Sequence, residues 1–272
     1  NDGALNKIGI KKALPDTEDQ ALVFLFMSAE QMDRDSYLSL LNDFLEQYPN
    51  SMEGYIRRAS NYMDSEDPAL QALAEADMKK ALDVSTTKED AYYQIAKLIY
   101  GYVLSLDGKE PYQEWTYDKA LELIREAVKT GGQPLHIQLE GDILFAQGKY
   151  AEAFVCYDQV NQSPLASAAT FYSAAKAKQL MEGSDINEVL ALMDNPIEKL
   201  NKPYFAEAAP YFYERAGLRA EAGKYREAVM DYNTFFEAVH GDVTALFYFQ
   251  REQAEMQCRM YQQALDDINK AV

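Results

Sequence analysis

Cysteine, histidine and tryptophan are scarce in this chain of 272 residues, which holds two, two and one of them. Two cysteines cannot build a disulfide framework. The histidines, His136 and His240, stand roughly one hundred residues apart at turns and share no metal-ligand spacing with a third ligand. Both read as solvated surface residues. Cations are outnumbered, 26 Lys and Arg against 44 Asp and Glu, for a net charge of −18. That balance excludes the clustered positive charge with which a nucleic-acid binder displaces counterions from phosphate. No apolar run reaches the ~18 residues of a bilayer-spanning helix, and an acidic polar face is the wrong sign for anionic lipid. Alternating strand patterns closed by Asn-Gly or Asp-Gly are also missing. Asp107-Gly108 sits between helical segments.

Hydrophobic residues make up 48% of the chain and charged ones 26%, a globular composition. Apolar residues recur at spacings of three and four in almost every segment, the amphipathic-helix pattern. Breakers fall at Pro15, Pro49, Asp67-Pro68, Gly131-Gly132, Pro164, Pro203 and Gly241. Several intervals between them suit one helical hairpin. The expected class is all-α.

Self-similarity refines this. Ile137-Gln-Leu-Glu-Gly-Asp-Ile-Leu-Phe-Ala-Gln-Gly-Lys-Tyr-Ala-Glu-Ala-Phe-Val-Cys-Tyr157 and Phe212-Tyr-Glu-Arg-Ala-Gly-Leu-Arg-Ala-Glu-Ala-Gly-Lys-Tyr-Arg-Glu-Ala-Val-Met-Asp-Tyr232 both carry Gly-Lys-Tyr-x-Glu-Ala. The pattern resembles the tetratricopeptide repeat, a unit of about 34 residues folded as helix-turn-helix. In that family small residues at repeat positions 8 and 20 let the two helices approach, large ones at 4, 11 and 24 fill the gap to the next hairpin, and a breaker near 32 stops the second helix. The resemblance covers nearly the whole chain. It divides it into seven repeats at approximately 18–50, 52–87, 89–133, 134–165, 168–202, 209–241 and 245–272, after an N-terminal helix at 4–14. It implies about fifteen helices in a single array, a right-handed α-solenoid superhelix with first helices lining a concave groove. The fifth repeat diverges, since Pro196 is expected to break its second helix.

The parts of an enzyme are missing from this pattern. Cys156 and Cys258 read as inert thiols, since neither has a histidine in its own segment. Asp64-Ser-Glu-Asp67 lacks the spacing and central glycine of a calcium loop, and neighbouring acids such as Asp266-Asp267 are unavoidable among 44. The expectation is a non-catalytic chain without metal or cofactor.

The resemblance places peptide contacts at positions 2, 5, 9 and 12 of the first helices. Seven of those twenty-eight sites are aromatic, a quarter, against 12% for the chain: Phe26, Tyr93, Tyr100, Phe145, Tyr172, Tyr213 and Phe249. Met63 and Met256 add adaptable surface, and Lys97 and Lys176 add cations. The competing reading is that these rings pack against neighbouring helices. One subgroup of the family grips the C-terminal carboxylate of heat-shock chaperones with Lys at position 5 and Asn at position 9. Here position 5 never holds Lys and position 9 never holds Asn, so that partner is not expected. A second candidate surface is the insertion from Leu104 to Thr116, with Tyr112 and Trp115, which either serves a partner or folds back on the core with Trp115 as anchor.

These readings converge on a protein–protein interaction scaffold that binds a peptide or partner protein, apolar and basic by complementarity with the −18 charge, in an aromatic-lined groove. The alternative is a structural assembly subunit docking through array ends or edges, with a toroid-type enzyme behind both. Asn1 in place of Met suggests a removed leader and favours an extracytoplasmic setting, periplasmic or outer-membrane-associated. Asp267 to Val272 stops inside a helical pattern, which predicts a natural chain that continues.

Overall fold

A computed structural model describes residues 14–200, 206–240 and 243–272. Most of the expected helix at 4–14, and the breakers Pro203 and Gly241, lie outside them. Among the described residues there are fourteen helices and no strands. They are α1 (Glu18–Ala29), α2 (Arg34–Gln47), α3 (Met52–Met63), α4 (Pro68–Val84), α5 (Lys88–Ser105), α6 (Tyr117–Thr130), α7 (Pro134–Ala146), α8 (Tyr150–Asn161), α9 (Ala168–Leu180), α10 (Ile186–Leu200), α11 (Ala209–Glu221), α12 (Tyr225–Ala238), α13 (Ala245–Gln257) and α14 (Tyr261–Ala271). The chain forms two compact units, Asn1–Leu139 and Glu140–Val272.

Local chemistry starts and stops these helices. Asp33, Ser51, Asp67, Thr116 and Ser167 each accept a backbone N–H of the helix that follows, satisfying donors that have no intrahelical partner. The Gly-Lys-Tyr turn closes α7 and α11 alike. Gly148 and Gly223 take left-handed φ of 75° and 73°. The following residue returns its N–H to a carbonyl five residues back, Lys149 to Leu144 at 2.9 Å and Lys224 to Arg219 at 2.7 Å, the Schellman ending that favours glycine. Arg259 holds the same place after α13 at φ 62°, with Met260 N–H on the Glu255 carbonyl.

In the first unit α3 packs on α4 and α5 on α6. Ala59, Ala74, Ala96 and Ala120 are wholly buried. Leu25, Leu41 and Phe44 form the core of the α1–α2 hairpin. Gly54 is required by the close approach of α2, because a Cβ there would lie 2.6 Å from the Phe44 ring. In the second unit Gly141 does the same under Tyr157, at 2.9 Å, and Ala153, Ala175, Ala216, Ala228 and Ala264 are wholly buried.

Two expectations are corrected here. Pro196 does not break its helix; α10 runs through it to Leu200. Its ring is buried beside Val189, Leu190 and Met193, and that packing offsets the lost N–H bond. His136 is not a solvated turn residue. It lies in the first turn of α7, wholly buried, with its ring 5.1 Å from that of Tyr93. Burial holds its pKa below the usual histidine value, against the pull of Asp90, the Ala127 carbonyl and Glu89. His240 is exposed at the end of α12, with φ 55°.

A recurring ionic clamp joins the hairpins. Arg58 of α3 holds Asp77 of α4 through two bonds of 2.7 Å and Asn42 of α2 at 2.9 Å. Arg215 of α11 holds Asp231 of α12 at 2.8 and 2.7 Å and Asp194 of α10 at 2.6 Å. Arg251 of α13 holds Asp267 of α14 at 2.6 and 2.7 Å and Asn233 of α12 at 2.8 Å. Each guanidinium thus ties both helices of its own hairpin to the second helix of the preceding one. The three aspartates are only 5%, 3% and 2% exposed, so their desolvation is compensated by bidentate pairing.

Breaking such a pair strands a buried charge. Asp231→Ala should cost about 3 kcal/mol in urea unfolding, and the Arg215→Met, Asp231→Leu double variant should lose clearly less than the two single losses combined; additive losses would refute the clamp. Glu255 gives a second test. It is buried, with Oε2 unpartnered, and burial, then the Asp267 charge, pushes its pKa up to about 7. The unfolded glutamate titrates near 4.5, so the native state binds the extra proton between these values and stability falls as pH rises through that window. Glu255→Gln should raise Tm at pH 8 more than at pH 4.5, and an equal change at both would refute it.

Candidate peptide-binding faces

The first helices present the candidate faces, and each unit carries its own. In the first unit Phe26 is 64% exposed, with the Arg57 guanidinium 5.9 Å from its ring centroid and Arg57 paired to Glu53 at 2.9 Å. Tyr93 is half-buried between His136 and the Lys97 ammonium, which sits 6.0 Å from its centroid. Tyr100 is half-buried, 6.0 Å from Tyr117 of α6. Lys97 is exposed and, among the described residues, makes no salt bridge.

Between α3 and α5 the chain leaves a cavity of about 430 Å³. Glu53, Ile56, Arg57, Ser60, Met63 and Asp64 form one wall, and Gln94, Lys97, Leu98, Gly101, Tyr102 and Ser105 the other. Spacings of three and four put each set on one helix face. Met63 is 3% exposed, so it forms the floor and is not the adaptable outer surface expected.

The 104–116 insertion folds onto the first unit. Trp115 is 4% exposed, with ring contacts to Tyr102 at 5.2 Å and Tyr112 at 4.8 Å. The Tyr112 backbone N–H donates to the Tyr102 hydroxyl at 3.1 Å. Trp115 is an anchor, the second of its two expected roles.

In the second unit Phe145 is half-buried, edge-on to Tyr150 at 5.2 Å. Tyr172 lies 5.2 Å from Tyr211, and burial pushes its hydroxyl up to about 12 with help from Glu214. Lys176 is paired to Glu214 at 3.2 Å. Tyr213 is half-buried, with Tyr232, Phe235 and Phe247 at 6.1, 5.3 and 5.0 Å, and its hydroxyl donates to Gln250 at 2.6 Å. Phe249 is 51% exposed and Met256 45%.

Position in the repeat therefore names places on the first helices but not the coverage of each ring there. It passed over Val23 and Met27, exposed at 60% and 61%, which extend the apolar surface around Phe26, while Leu246, 58% exposed at position 2 of its repeat, extends the one around Phe249. The available signal was the uninterrupted apolar run Ala21 to Met27, too wide for one buried stripe. Among the described residues no group of three His, Cys, Asp or Glu could hold a metal, Cys156 and Cys258 form no disulfide, and no helix is long and apolar enough to cross a membrane.

No family model and no curated protein sequence matches the chain. Solved structures do. PilF of Pseudomonas aeruginosa is 16% identical, with a TM-score of 0.56 over 79% of this chain and 88% of that one. YrrB, described as a TPR protein with an unusual peptide-binding site, is 15% identical, with a TM-score of 0.55 over 71% and 90%. A tetratricopeptide repeat protein of Parabacteroides merdae is 15% identical, with a TM-score of 0.55 over 93% and 91%. At such identities likeness speaks for the fold, and with the paired helices and their buried alanines it shows that this chain has the tetratricopeptide-repeat fold.

Proposed function

We propose that the protein is a non-catalytic interaction scaffold that holds a segment of another protein against the exposed faces of its first helices. The observation that carries this reading is the exposed apolar surface at Val23, Phe26 and Met27 of α1, in the same unit as the cavity between α3 and α5. Large apolar side chains left in water cost free energy unless a partner covers them, and aromatic anchors give the most contact area for the least lost rotamer freedom. Leu246, Phe249 and Met256 supply a comparable surface on α13. The net charge of −18 draws in segments of positive overall charge and sets the association rate more than the final affinity.

A second reading, assembly through an outer helix, draws on α14. Leu265 and Ile268 are 50% and 40% exposed, where Val229 and Tyr232 at the matching places of α12 are 3% and 4% exposed.

Partner recovery separates the two. Tagged protein, wild type or carrying Phe26→Ser or Phe249→Ser, is expressed in the source organism and its co-purifying proteins are quantified. Each variant should retain wild-type Tm, being altered at the surface, and recover its main partner at least about fivefold less, the scale of a 1 kcal/mol contact. Unchanged recovery by both variants, with loss on Leu265→Glu, would favour assembly through α14.

A further inference from the structure

Four helix-interior glycines behave in two ways. Gly54 and Gly141 are demanded by packing, since a Cβ would collide with Phe44 or Tyr157. Gly101 in α5 and Gly217 in α11 are not, since a Cβ at either would meet nothing within 4 Å. Both have ordinary helical φ, so no left-handed backbone requires them. A glycine inside a helix weakens it relative to alanine, and here nothing within the chain compensates. Gly101 lies in the wall of the α3–α5 cavity.

Resting on the scaffold reading, we infer that Gly101 keeps the wall of this cavity bare so that the main chain of an extended partner segment can lie directly against α5, with an acidic side chain of that segment meeting Lys97. Close approach decides the conformation. A helical segment holds its backbone inside a sleeve of its own side chains and satisfies its own amides, whereas an extended one leaves both free to meet the bare wall at Gly101. The walls suit an extended chain: Ser60 and Gln94 can bond its amides, while Ile56 and Leu98 give apolar contact. The charge follows from Lys97, exposed and outside any salt bridge among the described residues, whereas Lys176 in the second unit is neutralised by Glu214. Arg57, on the facing wall, keeps a buried Nε without a hydrogen-bond partner. One acid at this point fixes register in a segment that the −18 charge otherwise selects to be neutral or basic.

The test pans a phage-displayed library of random octapeptides on the full chain and measures the affinity of the selected peptides, synthesised with a fluorophore, by anisotropy. They should carry Asp or Glu above library frequency. Gly101→Leu should weaken them at least tenfold and Lys97→Gln about threefold, while Val155→Ala, an exposed site on the second helix α8, leaves them unchanged. Gly101→Ala adds a single methyl, should raise Tm, and should still weaken binding measurably, so the test survives if the leucine variant folds poorly. Peptides that bind both Gly101 variants as tightly as wild type, or that lack acidic residues, would overturn the inference. If such peptides are nonetheless lost on Phe26→Ser or Phe249→Ser, the scaffold reading stands alone. Failure to select any peptide, or indifference to every one of these variants, counts against both.

Discussion

Everything in this fold depends on how closely two antiparallel helices can approach. Ala59 and Ala74, Ala96 and Ala120, and Ala216 and Ala228 stand one on each helix of a packed pair, and each of these alanines is wholly buried. Larger residues one turn away, such as Ile99, Ile124 and Tyr232, are buried beside them and fill the remaining space between the helices. Gly54 and Gly141 carry the same constraint to its limit, with no room even for a methyl group. A hairpin built this way buries one stripe of each helix and needs a neighbour for the rest, so its stability is a sum over adjacent interfaces.

The helices were legible in the sequence because two independent signals coincide at their ends. Periodic apolar spacing stops where a capping Ser, Thr or Asp begins, or where a glycine allows the left-handed turn, as at Gly148 and Gly223. Pro196 and His136 were misread for one reason. Local propensity describes a residue in water, whereas packing decides what a buried proline ring or imidazole costs. The clamp of Arg58, Arg215 and Arg251 went unseen because 44 acids supply every cation with neighbours in sequence. Its signal was present in the spacing. Arginine leads aspartate by 16 residues in two hairpins and by 19 in the third, the excess being the three-residue insertion near Asp64.

The candidate faces were half legible. Repeat register tells which side of a first helix a ring occupies, and Phe26 and Phe249 are exposed where that register puts them. It cannot tell how much of the ring the next hairpin covers. Tyr213 is partly covered because the elements around it bring Phe235 and Phe247 within about 5 Å, and Tyr172 because Tyr211 does the same. Burial at one repeat position is set by side-chain bulk tens of residues away, which no local window contains.

The division of the cations explains how an acidic chain can still present positive charge selectively. Arg58, Arg215 and Arg251 are spent on buried aspartates inside their hairpins. Lys79 and Lys119 pair along their own helices with Glu75 and Glu122. Structural pairing therefore occupies about half of the cations among the described residues, and a charge left over beside a cavity acquires meaning that the same charge in a basic protein would lack. Lys97 is in that position. Its attraction is short-ranged, screened beyond the ~8 Å Debye length of physiological salt, and so, on the proposed reading, would act only on a segment already in contact with α5. The long-range field of the remaining acids acts earlier and with the opposite preference. On the proposed reading, two electrostatic criteria of opposite sign, applied at different distances, would select a pattern of charge along the partner in addition to its total.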